Sequence, residues 1–315
     1  MTELASIIIT TYYRNEWLRL AIKSAINQTY ENVETIVVDD SGERHAENVV
    51  SDYDVTYIPH DKNRGANPAR NTGFQASSGK YIQFLDDDDQ LLPEKIERHV
   101  EIIRENEDVG VAYCGFFTDE KEGRTDGTSD SRREVHPKPD VRGDVLEQAL
   151  RMSMHPCIPS TMLIERSVLK SIMPLTPRPA RDGIDIRLLL ANKTRFEYSD
   201  ELLLERGIHE DHRGEKPEAM PDMIRVVKDY KEIYDAYDPQ IRYQRLETVY
   251  RMHSRRLLDE KLWSPQAILS SLKALYWMSK QSYVNVVTVA LVFAAVFGKP
   301  GYRIASSIYN STKTR

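Results

Sequence analysis

Lys80-Tyr81-Ile82-Gln83-Phe84-Leu85-Asp86-Asp87-Asp88-Asp89 carries an apolar, strand-like run straight into four successive carboxylates. Like charges at this spacing repel one another, and folding offers nothing in return. The usual remedy is a divalent cation, because hard oxygen ligands suit Mg2+ or Mn2+. Upstream, Thr35-Ile36-Val37-Val38 runs in the same way into Asp39-Asp40. Ligands of an open α/β sheet bind beyond the carboxyl ends of its strands, so both acidic groups fall on one functional edge. The pattern points to a nucleotide and metal site.

Strand and helix alternate outward from this stretch. Residues 5–10 read as an apolar strand. Trp17, Leu18, Ala21, Ile22, Ala25 and Ile26 follow at helical spacing, with Asn15 placed to cap them. Residues 33–38 are the next strand, 43–51 a polar helix and 55–58 strand again. Asn67-Pro68 starts a helix with proline at its tolerated first position. Pro93 opens another, carrying Ile96, Val100 and Ile103, and residues 109–117 return as strand. Such alternation predicts a mostly parallel sheet covered by helices. Between Asp119 and Gly143 the chain turns polar, which predicts a mobile loop beside the site. Residues 160–164 are sheet-like and 184–191 helical. Beyond Gly214 the spacing is helical throughout, over 223–237, 241–258 and 267–278. The expected division is 1–213 for the α/β domain and 214–315 for a helical extension.

A chain of 315 residues with 40% hydrophobic content has ample core for two such domains. Cys114 and Cys157 lack metal-type spacing and suit a reducing compartment. The amino terminus reads as a strand rather than a secretory signal. A net charge of −6 excludes a generally basic nucleic-acid binder, so no nucleic-acid partner is expected. That total conceals an asymmetry. No Asp or Glu follows Glu260, while Lys261, Lys273, Lys280, Lys299, Arg303, Lys313 and Arg315 do, so the tail 261–315 carries +7 and the rest −13. Beside Trp, Tyr and a long apolar run, this segregation suggests contact with an anionic membrane surface; a basic helical hairpin packed on the acidic domain is the alternative. The apolar run at 286–297 is too short to cross a bilayer, which takes about 20 residues.

Several near-matches fail on spacing. Gly73–Lys80 resembles a phosphate loop, but its glycines are too far apart and Tyr81 stands where Ser or Thr would hold Mg2+. No G-x-G-x-x-G follows a strand, and Leu91 stands where an EF-hand needs glycine. Asp39-Asp40 resembles the acidic pocket of phospho-receiver modules, but follows the second strand rather than the first.

The whole set resembles one family. Ile7-Ile8-Ile9-Thr10-Thr11-Tyr12-Tyr13-Arg14, then Ala25-Ile26-Asn27-Gln28-Thr29-Tyr30, then Ile36-Val37-Val38-Asp39-Asp40-Ser41 are similar to the opening of family 2 glycosyltransferases. Asn63-Arg64-Gly65, Ala69-Arg70-Asn71-Thr72-Gly73 and Ser78-Gly79-Lys80 through Asp88 follow in the same order and spacing. The resemblance implies the Rossmann-like GT-A fold, a nucleotide-diphosphate sugar donor, most commonly a UDP-sugar, and Mn2+ or Mg2+. By position Thr11, Tyr12 and Asp39 frame the nucleobase, with Asp40 and Asp87 close by. Arg70 lies near the ribose or diphosphate, Asp86 meets the ribose and Asp88 holds the metal. Capping of strand-to-helix turns accounts for one carboxylate per turn, not for four in a row.

The family's general base sits in an acidic motif before a helix, matched here by Arg181-Asp182-Gly183-Ile184-Asp185. Arg181 and Gly183 depart from the pattern, so Asp182 is the expected base and Asp185 the second choice; Asp182 also suits the cap of that helix. Arg206-Gly207-Ile208-His209 resembles the element that closes the site, with His209 toward diphosphate or metal, and Ser160-Thr161-Met162 lies where the acceptor approaches. The Q-x-x-R-W motif of processive synthases is absent. The resemblance therefore implies inverting transfer of a single sugar to a polyprenyl-linked or other surface glycan at the cytoplasmic face of the membrane. The rivals are a nucleotidyltransferase of related fold, which wants a Gly-rich loop where Tyr12-Tyr13-Arg14-Asn15 stands, and a non-catalytic sugar-nucleotide binder.

Overall fold

A computed structural model describes residues 2–119, 132–179, 182–207, 219–282 and 284–303. Two compact units divide the chain, Met1–His212 and Arg213–Arg315.

In the first unit, β1 (Ala5–Thr11) is the centre of a parallel group with β2 (Val33–Asp39), β3 (Thr56–Pro59) and β4 (Tyr81–Asp86). Ile7, Ile8 and Ile9 are all buried, because helices cover both faces of such a strand and remove any need for alternation. The register decides the site: Thr11 pairs with Asp39 and Thr10 with Asp86, so the acidic strand ends flank the end of β1.

Helix α1 (Asn15–Ile26) buries Leu18, Ala21, Ile22 and Ala25, while Trp17 and Ile26 of the expected stripe are exposed. Asn15 is its first residue rather than its cap; the amide instead donates to the His45 carbonyl. The expected helix at 43–51 shrinks to one turn, α2 (Glu47–Val50). In α3 (Ala66–Ala76) Pro68 is the third residue, not the first. Gly73 lets α3 lie flat on the sheet, since a Cβ there would stand 2.2 Å from Ile8 Cγ2.

After Asp86 the chain reverses, and Asp89 begins a short strand, β5 (Asp89–Leu91). It continues through α4 (Lys95–Glu105), β6 (Val109–Asp119), β7 (Arg132–Val135), α5 (Leu146–Leu150), a 3-10 turn (Pro159–Thr161), β8 (Met162–Glu165), α6 (Arg166–Lys170), α7 (Asp182–Ala191) and β9 (Arg195–Arg206). The sheet order is β3-β2-β1-β4-β8-β6-β9-β5, with β7 on β6. Because β8 runs antiparallel to both β4 and β6, the sheet is mixed rather than mostly parallel. Part of the polar stretch expected as a loop pairs as β7 against β6; residues 120–131 of it lie outside the described residues.

The second unit is helical: α8 (Ala219–Asp229), α9 (Lys231–Tyr237), α10 (Pro239–Glu260), α11 (Pro265–Met278) and α12 (Val286–Val296). Asp238, Ser264 and Asn285 cap the last three, each accepting a backbone N–H of the first turn. The buried Glu247 of α10 accepts from Arg251 at 3.0 Å, from Asn285 at 3.3 Å and from Thr288, tying α12 to α10. Among the described residues no helix is long and apolar enough to cross a membrane.

Candidate active site

The four carboxylates have four different surroundings. Asp87 turns inward and is almost fully buried, accepting from Thr11 Oγ1 at 2.8 Å, the Tyr12 amide at 3.3 Å and Arg14 Nη1 at 3.1 Å. Burial, then the neighbouring Asp88 charge, push its carboxyl up to about 6 against the pull of Arg14. Arg14 also donates to Asp88 at 2.7 Å. Asp86, half-exposed, accepts from the buried Arg70 at 2.7 Å, and Arg70 in turn lies over the Phe84 ring. Asp89 is buried; desolvation, then Asp88 and Asp86, raise its carboxyl well above the ordinary value.

Asp86, Asp88 and Asp89 each bring a carboxylate oxygen within 4.8 Å of the others. The cations Arg14 and Arg70 leave the buried Asp89 carboxyl strained toward its neutral form. A divalent cation among three hard oxygen donors relieves that repulsion, so the donor set fits Mg2+ or Mn2+. Gly207 closes the cluster from β9, its amide reaching the Asp88 carbonyl at 3.1 Å and Asp89 Oδ1 at 3.2 Å. A Cβ at Gly207 would stand 2.2 Å from that carbonyl, so only glycine permits the approach.

Asp39 and Asp40 organise the neighbouring loops. Asp39 accepts from the Ser41 and Ala46 amides, both at 2.9 Å, and from the Tyr57 hydroxyl at 2.8 Å. Burial opposes ionisation, but these donors outweigh it and hold its carboxyl below the ordinary range. Asp40 accepts from His60 at 2.7 Å and from the Arg64 and Gly65 amides at 2.9 and 2.7 Å. Local turn-holding, which aspartate does commonly, thus accounts for both side chains' hydrogen bonds. What the two loops leave open to solvent is aromatic: Tyr12 and Tyr13 pack edge-on at 4.7 Å, and Tyr13 lies 4.8 Å from His45. Tyr13 holds a positive φ of 56°, unusual for a bulky residue.

Behind the cluster runs a buried polar chain. Lys95 Nζ donates to Gln83 Oε1 and lies 3.3 Å from His99 Nδ1. Gln83 Nε2 donates to the Ser160 carbonyl at 2.9 Å, and Ser160 Oγ accepts the Asp86 amide at 3.2 Å. Burial lowers the Lys95 ammonium to about 8. In sequence Lys95 looks like an ordinary helix-surface lysine, and nothing there marks it. His45 and Lys95 are the members that sequence spacing missed, while Tyr13 and Gly207 lie inside quoted motifs that gave them no role of their own.

Of the two candidate bases, Asp182 opens α7, and its side chain lies outside the described residues, as do Arg181 and His209. Asp185 is fully buried in an ion pair with Arg178 at 2.8 Å, which anchors α7. Thr161 is buried and holds its own turn through the Ile158 amide at 2.9 Å.

Set against known proteins, residues 6–173 match the model of the family described as glycosyl transferase family 2. An uncharacterized glycosyltransferase of Rickettsia prowazekii is 38% identical over 117 residues, 36% of either chain. The Escherichia coli UDP-Glc:alpha-D-GlcNAc-diphosphoundecaprenol beta-1,3-glucosyltransferase WfaP is 33% identical over 118 residues, 36% of this chain and 47% of that one. The first curated relatives are thus matched over roughly half of their length at most. Among solved structures, Staphylococcus aureus TarS 1-349 superposes with a TM-score of 0.68 at 16% identity, over 98% of this chain and 92% of that one. The mannosyltransferase PcManGT of Pyrobaculum calidifontis, solved with GDP-Man and Mn2+, gives 0.55 at 13% identity over 100% and 89%. The fold is accordingly GT-A, with a helical carboxyl-terminal region. Motif order, strand register and a family match over more than half of the residues agree: the chain belongs to glycosyl transferase family 2.

Proposed function

We propose that this protein is an inverting, metal-dependent glycosyltransferase that moves one sugar from a nucleotide-diphosphate donor, a UDP-sugar, to a hydroxyl of a lipid-linked or surface glycan. The observation that carries this is the Asp86, Asp88 and Asp89 cluster at the carboxyl end of β4, beside Arg70. Supporting it, WfaP is named for a UDP-Glc donor and a diphosphoundecaprenol acceptor, and TarS 1-349 was solved with UDP-GlcNAc.

A base stacks on the open faces of Tyr12 and Tyr13 beside Thr11, with Asp39 and Asp40 framing it through the turns they hold. Arg70 and Asp86 take the ribose and diphosphate side. Asp88 with its neighbours, joined by His209, would hold Mn2+ or Mg2+, which when bound would supply Lewis-acid stabilisation of the departing diphosphate. Asp182 accepts the acceptor hydroxyl's proton from the opposite face of the sugar, so a single displacement inverts the anomeric carbon.

The enzyme is placed at the cytoplasmic face of the membrane by its tail. Exposed Leu262 and Trp263 are held beside α12's end by a Trp263 indole bond to the Val296 carbonyl at 3.3 Å and a Lys299 amide bond to the Leu262 carbonyl at 2.8 Å. With exposed Phe293 and Phe297 and the acid-free sequence beyond Glu260, they suit an anionic lipid surface. Trp263→Glu with Phe297→Glu then releases the chain from anionic vesicles; unchanged sedimentation with them refutes this placement.

The activity is tested by thermal stabilisation with a panel of nucleotide sugars and Mn2+, since a ligand specific to the folded state raises its melting temperature. Stabilisation by UDP-sugars that is lost in Asp88→Ala supports the assignment. No stabilisation by any nucleotide sugar refutes it.

A further inference from the structure

Tyr12, Tyr13, Arg70 and the carboxylates take the donor, and beside Asp89 stands a cationic cluster whose Arg206 offsets part of the Asp89 charge. Arg133, Thr118, Arg206 and Asp89 stand in one register row across β7, β6, β9 and β5. Residues paired across a sheet share a face, with about 5 Å between strands. The row therefore starts at the acidic cluster and reaches Arg133 three strands on. On this face the Arg206 guanidinium lies over Phe116, 5.3 Å from the ring centre, and the His155 ring packs edge-on against Phe116 at 5.7 Å. Partial burial, then the charges of Arg206, Lys138, Arg187 and Arg133, hold the His155 imidazole below its ordinary pKa.

Such cations repel one another as the carboxylates do. Arg14, Arg70 and Arg178 each hold a carboxylate, whereas among the described residues Arg133 and Lys138 hold none and Arg206 bears on Asp89 without a direct ion pair. Between Arg133 and Arg206 the buried Thr118 hydroxyl lacks a hydrogen-bond partner. An anion with several acceptor oxygens satisfies both the charges and the hydroxyl. Sheet order sets this cluster apart from the nucleotide-side residues of β1 and β2, which lie beyond β4, while Asp89 of β5 joins it to the acidic cluster.

We propose that Arg133, Lys138, His155 and Arg206, with Thr118, bind a phosphate or diphosphate group of the acceptor. This rests on the glycosyl-transfer assignment and names its acceptor class as one with an anionic head near the receiving sugar.

The test titrates geranyl diphosphate into the full chain held saturated with UDP and Mn2+. The triple variant Arg133→Ala, Lys138→Ala, His155→Ala removes exposed side chains and keeps its melting temperature. It is expected to weaken geranyl diphosphate by about tenfold or more while leaving UDP affinity unchanged, and geraniol is expected to bind neither form. Arg206→Lys retains binding and Arg206→Gln loses it. Equal affinity of wild type and triple variant for geranyl diphosphate overturns the proposal. So does a triple variant that loses UDP instead, since the cluster then serves the donor. A wild type that takes geranyl diphosphate through these residues but no nucleotide refutes the transferase assignment and leaves the anion site standing.

Discussion

Arg14 Nη1 stands 2.7 Å from a carboxylate oxygen of Asp88, so the residue assigned to the metal already holds a cation. A divalent ion must displace or share that guanidinium, and its positive charge repels the incoming ion. Arg14→Gln is expected to tighten Mn2+ binding to the nucleotide-free chain by a few-fold, as removal of one nearby charge across high dielectric is worth roughly 1 kcal/mol. Titration followed by the electron paramagnetic resonance of free Mn2+ reads this directly. Weaker Mn2+ binding in the variant would show that Arg14 builds the site rather than competes in it.

Asp87 gives the metal-free chain a pH signature. Its carboxyl, raised to about 6, keeps its proton longer in the folded than in the unfolded state. The stability this group contributes is therefore present below pH ~4 and lost as pH rises through ~6, a change on the order of 3 kcal/mol. In chelator, the melting temperature of Asp87→Asn minus that of wild type should rise from pH 4 to pH 7. The offset depends on the altered bonds to Thr11 and Tyr12; the slope reports the titration. A flat difference contradicts the burial of this charge.

Gly207→Ala places a methyl against the Asp88 carbonyl, where no flexible side chain can yield. A clash of this kind costs about 1–3 kcal/mol, and it pushes β9 from the acidic cluster. Both a melting temperature lower by several degrees and weaker Mn2+ binding are expected, whereas Gly143→Ala, which strains a positive-φ glycine remote from the cluster, is expected to lower the melting temperature and leave Mn2+ binding intact. Unimpaired Mn2+ binding in Gly207→Ala would separate β9 from the metal site.

Lys95 tests the buried chain behind Asp86. Its ammonium, lowered to about 8 by burial, leaves the folded chain short of a proton relative to the unfolded one between pH ~8 and ~10. Wild type should therefore gain stability over Lys95→Met as pH rises through that window. Denaturant midpoints measured at pH 7.5 and 9.5 check the sign. A difference that shrinks with pH would mean the ammonium is better solvated than its burial implies.

The parallel half of the sheet was legible because its signals are local: apolar runs, helical spacing and aspartates where strands end. Asp86, Asp88 and Asp39 could be placed at one edge from that pattern alone. Residues 160–164 also read as sheet, but the antiparallel placement of β8 was not legible, since it joins β4 to β6 by pairings made far along the chain. Strand β9 reads as polar, with Glu197, Asp200 and Glu201 along a bulged edge. Asp185 could be placed by motif, whereas its ion-pair partner Arg178 could not, because it precedes it in an irregular segment without periodicity. Lys95 sits in a helix whose neighbours are charged, and only tertiary burial distinguishes it.

One cation, gripped at Asp88 and its neighbours, carries the donor's diphosphate in the proposed reaction. Calorimetric titration of UDP into the full chain, with Mn2+ and with chelator, reads this cation's share of the affinity in wild type and Asp88→Asn. UDP is expected to bind the wild type at least tenfold more tightly with Mn2+, and Asp88→Asn to abolish this gain while keeping its melting temperature. Equal UDP affinity in both forms, with or without Mn2+, would contradict it.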